Sequence, residues 1–340
     1  MGLVFIDGCK HYDVGDLLKK WGAFYGNVGV DLNSGNRRRP GTSYLNIVTT
    51  GTYVQTKALA LTSRAVIGLA MHVATATCEG AVILYSGSVA QMCVVFDTSQ
   101  RLHVKRGDQN GTILASSDPA TVPIGSWFYL EFDGTVHDSS GASEVRVNGG
   151  AIAALTLTGQ DTKPSATAGV DRIRIITTGA YDVRLTDFYI DTDTFRGDCV
   201  VDTLLPTAAG AHDDFVPSAG ANFECADDAD GIDDDATYNA SATQDDMDTF
   251  AFANLTAMPT SDIIAVAVNL ALRKDDATTR VMKPVVRIGS TDYLHGTGIS
   301  PAGLYAVVQG IWPTNPADSQ TWEEADVNGA EFGYKQTLVS

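Results

Sequence analysis

Glu131 and Asp133, two residues apart in Trp127-Phe128-Tyr129-Leu130-Glu131-Phe132-Asp133, form the pattern in this chain closest to catalytic machinery. Strand alternation puts both carboxylates on one face. Retaining glycoside hydrolysis needs a second carboxyl about 5–5.5 Å from the first, to protonate the leaving oxygen. The positions expected to supply it hold Thr135 and Val136, so the strand lacks its acid and no catalytic residue is assigned. The six histidines, His11, His72, His103, His137, His212 and His295, are scattered, without metal spacing or a nearby nucleophile elbow. Hard oxygen ligands crowd Asp227-Asp228-Ala229-Asp230-Gly231-Ile232-Asp233-Asp234-Asp235. Asp228, Asp230 and Asp233 are the candidate calcium ligands, against the alternative of a solvated acidic loop, because the later bidentate Glu of a helix-loop-helix site is missing. Sugar rings stack on exposed aromatic faces while polar groups take their hydroxyls. Trp312, in Gly310-Ile311-Trp312-Pro313-Thr314-Asn315-Pro316, is the first candidate for that role, followed by Tyr293 and His295; for each, a core or interface position is the competing reading.

The formal charge of -18 is unevenly placed: residues 194–340 carry 23 acidic and 7 basic side chains, and residues 1–193 carry 18 and 16. Such a field repels phosphate backbones and anionic bilayers, so neither nucleic-acid binding nor membrane insertion is expected. Arg37-Arg38-Arg39 is the basic cluster that would have to oppose it, and it reads better as a solvated loop or an anchoring contact. Cys9, Cys78, Cys93, Cys199 and Cys225 are odd in number and contain no Cys-x-x-Cys pair, which suits neither a disulfide framework nor a zinc site. Cys93 lies in an apolar run and is expected as a buried thiol. The opening Met1-Gly2-Leu3-Val4-Phe5-Ile6-Asp7 lacks a basic region ahead of its short apolar stretch and is not expected to be a signal peptide. No run reaches the roughly 18 apolar residues of a membrane helix.

The elements that must position these residues are short strands. Runs rich in Val, Ile, Thr, Tyr and Phe recur about every ten residues, predicting strands over 53–60, 65–73, 81–85, 91–97, 102–106, 127–133, 144–147, 172–177 and 183–190. Gly107-Asp108-Gln109-Asn110-Gly111 and Asn148-Gly149-Gly150 supply turns. Asp13 to Trp21 predicts one helical turn with Trp21 inward. After Asp193 the strands are sparser, at 249–252, 263–273, 280–288 and 305–311, with a helical turn from Trp322 and a last strand at 332–335. The apolar run 263–272 could also be read as a buried helix, but residues 263–273 are expected to pair with 283–288 across Lys274-Asp275-Asp276-Ala277 as a long hairpin. The chain therefore reads as all-β, in two β-sandwich domains: a jelly roll over 1–193 and an acidic β-sandwich over 194–340.

Two resemblances extend this reading. Gly125-Ser126-Trp127-Phe128-Tyr129-Leu130-Glu131-Phe132, then Val145-Arg146-Val147-Asn148-Gly149, resembles the concanavalin A-like (laminin-G-like) jelly roll, and Leu185-Thr186-Asp187-Phe188-Tyr189-Ile190 looks like that fold's final strand. Phe5-Ile6-Asp7-Gly8 with His11-Tyr12, the segment from Gly197-Asp198 to Pro206, Arg273-Lys274-Asp275-Asp276, and Trp322 to Gly333-Tyr334-Lys335 resemble structural proteins of tailed bacteriophages. Cys9 stands where those relatives carry an aromatic, which bears on packing. The resemblance implies a non-enzymatic virion structural protein, a tail-fibre, tail or capsid-surface component assembled in a host cytoplasm. It also implies contacts with other virion proteins, a homo-oligomeric state of which a trimer is one form, and contact with host-surface carbohydrate. A purely architectural decoration or connector protein is the alternative, and a glycan-degrading enzyme is disfavoured by the missing carboxylate.

Overall fold

The protein, described from a computed structural model, is accounted for over residues 2–31, 37–166, 169–179, 182–255, 262–296 and 298–340. It divides into two compact units, Met1–Lys10 with Trp21–Asp202, and His11–Lys20 with Thr203–Ser340. The first unit contains β1 (Leu3–Asp7), β2 (Ala23–Asp31), β3 (Tyr44–Gln55), β4 (Arg64–Val73), β5 (Gly80–Ser86), β6 (Val89–Phe96) and β7 (Leu102–Arg106). It continues with β8 (Thr112–Ser116), β9 (Trp127–Thr135), β10 (Gly141–Val147), β11 (Gly150–Ala151), β12 (Leu157–Gln160), β13 (Arg172–Thr177) and β14 (Val183–Asp191). All pairings are antiparallel, along the path β11-β10-β9-β4-β14-β3-β13-β5-β6-β7-β8, with β1 beside β14, β2 beside β3 and β12 beside β10.

The strand β3 turns this path into a jelly-roll sandwich. Its Leu45–Ile47 pair with β14, whereas Tyr53–Gln55 pair with β13. Between them Thr49 and Gly51 have φ of 85° and 79°, and Thr177 donates its hydroxyl to the Thr49 carbonyl at 2.6 Å. One layer is then β10-β9-β4-β14 and the other β13-β5-β6-β7. A Cβ at Gly134 on β9 would lie 2.8 Å from Leu84 on β5, so these apolar faces meet. Phe132, Leu130, Val82, Leu84, Val94 and Ile175 fill the space between them, through ordinary hydrophobic burial.

The chain stays with the first unit beyond the end of β14, through Asp202, nine residues past the boundary expected from the end of the strand pattern and the change in charge. Polar contacts hold it there: Gly197 donates its amide to Glu131, Val201 donates to Asp187, and Arg196 pairs with Asp191. The segment His11–Lys20 packs in the second unit. It contains the expected helical turn, α1 (Leu17–Lys20), preceded by Asp13, which accepts the Gly15 and Asp16 amides. Ile232 donates its amide to Asp16 at 2.7 Å, and Lys20 reaches Asn269 at 3.0 Å. Trp21 is buried in the first unit, edge-on to Phe5 and Phe188, with its indole N–H on Asp7.

The second unit contains β15 (Pro206–Asp213), β16 (Val216–Pro217), β17 (Asn239–Ala240), β18 (Met247–Phe252), β19 (Val266–Leu272), β20 (Arg280–Ile288), β21 (Thr291–Leu294), β22 (Ala306–Trp312), α2 (Glu324–Gly329) and β23 (Glu331–Val339). A five-stranded sheet runs β15-β18-β23-β20-β21, while β19 pairs with β22. The expected hairpin between 263–273 and 283–288 does not form. The two strands lie in different layers, with Val268 and Leu270 of β19 and Trp312 of β22 packed against Val286 of β20 and Phe332 of β23. Apolar alternation on both strands serves facing layers as well as it serves one sheet.

Candidate ligand-binding face

Glu131 does not sit in an open cleft. Across β10-β9-β4-β14 the register aligns Arg146, Glu131, Gly68 and Tyr189 on one face. Gly68 lets the Tyr189 ring cross it, since a Cβ there would lie 2.0 Å from the ring. The Tyr189 hydroxyl donates to Glu131 Oε1 at 2.5 Å and accepts the Arg196 amide at 2.9 Å. Gly197 closes over the same oxygen at 2.8 Å, leaving Glu131 0 % exposed and its Oε2 without a hydrogen-bond partner among the described residues. Asp133 is held by Arg64 through two hydrogen bonds, of 2.9 and 2.6 Å. Both carboxylates are engaged in holding the fold. Arg38, from the basic cluster, is an anchor: it pairs with buried Asp187 and exposed Asp198 and donates to the Cys199 carbonyl. Burial opposes its charge, but these carboxylates outweigh it and raise its pKa.

The residues chosen from sequence for sugar stacking occupy the second unit. Trp312 is 8 % exposed in the apolar cluster, edge-on to His295 at 4.9 Å, and its carbonyl accepts the Trp322 indole N–H at 2.9 Å. The stacking platform expected there is a core position instead, because Trp312 ends β22 and is drawn into the layer before the turn begins. His295 is half-buried, and desolvation lowers its pKa. Tyr293 is half-buried on β21, opposite Val286 of β20.

The acidic loop is spread among separate partners. Asp234 pairs with Lys19, Asp235 with Arg273, and Asp233 accepts the Thr237 hydroxyl. Asp228 is half-buried, and its pKa is raised to about 6, first by desolvation and then by the Asp233 charge; Asp230 is exposed. Among the described residues no group of three His, Cys, Asp or Glu side chains is arranged to hold a metal ion.

A different set of residues comes together on the outer face of β13-β5-β6-β7. Register and alternation place Ala23, Gln55, Arg174, Ile83, Cys93 and Lys105 in one row across six strands. Tyr25, Tyr53, Ile176, Ala81, Val95 and His103 form the next row. Arg174 is clamped flat at the centre. Its guanidinium carbon lies 4.1 Å from the Tyr53 ring centroid and 4.4 Å from that of Tyr85. Its Nε and Nη2 donate to Gln55 Oε1 at 3.0 and 2.8 Å, and Nη1 donates to the Tyr85 hydroxyl at 3.1 Å. Tyr53 stacks in turn on Tyr25 at 6.1 Å, with 22° between the planes, and Tyr25 is 65 % exposed.

Beneath this polar layer Ile83 and Cys93 are both 0 % exposed and belong to an apolar cluster with Ala81, Tyr85 and Val95. Burial pushes the Cys93 thiol up to about 12, so it packs as a neutral group. Burial also raises the Tyr85 pKa, keeping its hydroxyl protonated, although the neighbouring Arg174 pulls the other way. At the far edge, His103 bridges Ser116 and Asp97 at 2.7 and 3.0 Å. The face thus combines a buried apolar floor, an exposed aromatic ring and an oriented planar donor. The sequence reading missed it because its residues come from different strands brought together only by long-range pairing. The one local signal was the Arg172-x-Arg174 and Tyr53-x-Gln55 alternation, which puts large polar groups on the face turned from the core.

No protein-family model matches the sequence, and no curated protein matches it. Solved structures that are similar to parts of the chain have low identity. A galectin of Caenorhabditis elegans shares 14% identity, covering 43% of this chain and 94% of its own, with a TM-score of 0.30. A Bacillus subtilis protein of unknown function with a galectin-like fold shares 7%, covering 57% and 100%, with a TM-score of 0.37. The exoplasmic/lumenal domain of VIP36, in its form bound to calcium and Man3GlcNAc, shares 9%, covering 58% and 92%, with a TM-score of 0.38.

Proposed function

We propose that the protein binds carbohydrate on the outer face of β13-β5-β6-β7, with the exposed Tyr25, backed by Tyr53, stacking a sugar ring and Arg174 donating to its oxygens. The observation that carries this reading is the clamped Arg174. Its ring neighbours and Gln55 fix its orientation before any ligand arrives, and preorganised donors beside an exposed aromatic suit sugar hydroxyls. The two carboxylates that could have argued for hydrolysis are committed elsewhere, Glu131 to Tyr189 and Gly197 and Asp133 to Arg64. The reading is therefore of binding without cleavage. Its setting is the virion surface of a tailed phage, supported only by the sequence resemblance of the opening, central and closing segments; there the face would meet host-surface glycan.

A glycan array probed with the wild-type chain and with Tyr25→Ala tests the proposal. Binding that is lost in the variant supports it. An array on which the wild type retains nothing would leave the chain an architectural part.

A further inference from the structure

The charges on this face are unusual for the chain that carries them. With 41 acidic against 23 basic side chains, most arginines of the first unit are neutralised by a carboxylate: Arg64 by Asp133, Arg146 by Glu144, Arg172 by Asp171 and Arg184 by Asp182. Arg174 is not. Among the described residues its hydrogen-bond partners, Gln55 and Tyr85, are neutral. A guanidinium offers five N–H donors, and three are used, each from a different nitrogen. Two remain, one on each terminal nitrogen. That pair is suited to an end-on contact with two oxygens of one anion.

Lys105, in the same row, is in the same condition: its ammonium donates to the Gln109 carbonyl at 2.7 Å and pairs with no carboxylate among the described residues. The acid whose charge is felt at Tyr85 and Cys93 is Asp108, and it caps its own turn by accepting the Asn110 amide at 2.9 Å. Arg174 and Lys105 stand three strand spacings apart, roughly 14 Å between their backbones, with the apolar floor of Ile83 and Cys93 between them. An oligosaccharide can span that distance and a single sugar cannot.

We infer that the ligand of this face is an anionic oligosaccharide, one of whose carboxylate or sulfate groups pairs with the open edge of Arg174 while a second anionic unit reaches Lys105. The inference rests on the carbohydrate-binding reading and narrows it. The fixed, stacked guanidinium loses little freedom on pairing. Arg174 and Lys105 give the row a local positive charge that attracts a polyanion.

Calorimetric titration of the full chain with three probes separates the outcomes: oligogalacturonate for carboxylate, sulfated dextran oligomers for sulfate, and neutral dextran oligomers. Wild type, Arg174→Gln, Arg174→Lys and Lys105→Gln are compared, with a thermal melt to confirm folding. The expected result is binding of one anionic probe and not of neutral dextran, the preferred probe distinguishing the two anion sources. Arg174→Gln should weaken it about ten- to hundredfold, as loss of a charge-assisted bidentate contact does, and Arg174→Lys should recover only part. Lys105, unlike Arg174, is not packed between rings, so Lys105→Gln remains informative if Arg174→Gln fails to fold; it should weaken long oligomers and spare the shortest that bind. Neutral dextran bound as tightly as either anion overturns the anionic specificity and leaves carbohydrate binding standing. Anion binding unaffected by either substitution overturns the site. No binding by any probe overturns both readings.

Discussion

Removing one hydroxyl from the first unit tests whether Glu131 serves the fold. In Tyr189→Phe the ring keeps its place over Gly68, but Glu131 Oε1 loses its 2.5 Å donor and the Arg196 amide loses its 2.9 Å acceptor. Glu131 is fully buried and its second oxygen has no hydrogen-bond partner among the described residues, so only the Gly197 amide stays on the carboxyl. A hydrogen bond to a buried carboxyl contributes about 1.5–3 kcal/mol and an orphaned amide costs about 1 kcal/mol more, giving a loss of about 2.5–4 kcal/mol. For a unit of this size that lowers the melting temperature by roughly 5–16 °C. Calorimetry of the full chain should show the shift in one transition, with Glu131→Gln also destabilising and the double variant less harmful than the sum, because the two side chains share one contact. A Tyr189→Phe protein melting within about 1 °C of wild type would show that the Tyr189 hydroxyl does not hold Glu131 in the fold.

Trp312→Ala should cost about 3–5 kcal/mol, as large core truncations do, while leaving glycan titration unchanged; weakened glycan binding in a folded variant would restore Trp312 as a contact. The Asp228 carboxyl has its folded pKa raised to about 6 from 3.8, so between these values the folded state holds a proton that the unfolded chain releases. Stability from this group is therefore full below about pH 3.8 and lost as pH rises through about 6. Urea midpoints measured across that window should fall less steeply in Asp228→Asn than in wild type, and parallel curves would contradict the assignment.

The fold was legible wherever local pattern and long-range structure asked for the same residues. Val82 and Leu84 facing Val94 and Met92 across the β5-β6 hairpin are readable because alternation, turn and pairing coincide. The pairing of β19 was not, because its partner Ala306–Trp312 lies beyond β20, and short-loop hairpins are the commoner solution. β2 was missed for its glycines and polar residues: Tyr25-Gly26-Asn27 is exposed and carries no apolar stripe. That omission hid Tyr25, and with it the stack of Tyr25 on Tyr53. Trp312 misled in the opposite direction, since Pro313 and Pro316 mark a turn but the ring belongs to the strand before it. The end of the strand pattern and the change in charge both point to a boundary near 193, whereas the amide contacts of Gly197 and Val201 carry the first unit on to Asp202. Main-chain hydrogen bonds to distant carboxylates leave no trace in local composition.

Amide hydrogen exchange of the full chain with and without a bound array glycan reads out where the ligand sits. A ligand on the outer face of β13-β5-β6-β7 slows exchange over 23–27, 53–55, 83–85, 104–106 and 172–175, with residues 291–295 and 310–316 unchanged. Protection confined to the latter segments, or over 127–133 and 195–199, would contradict it.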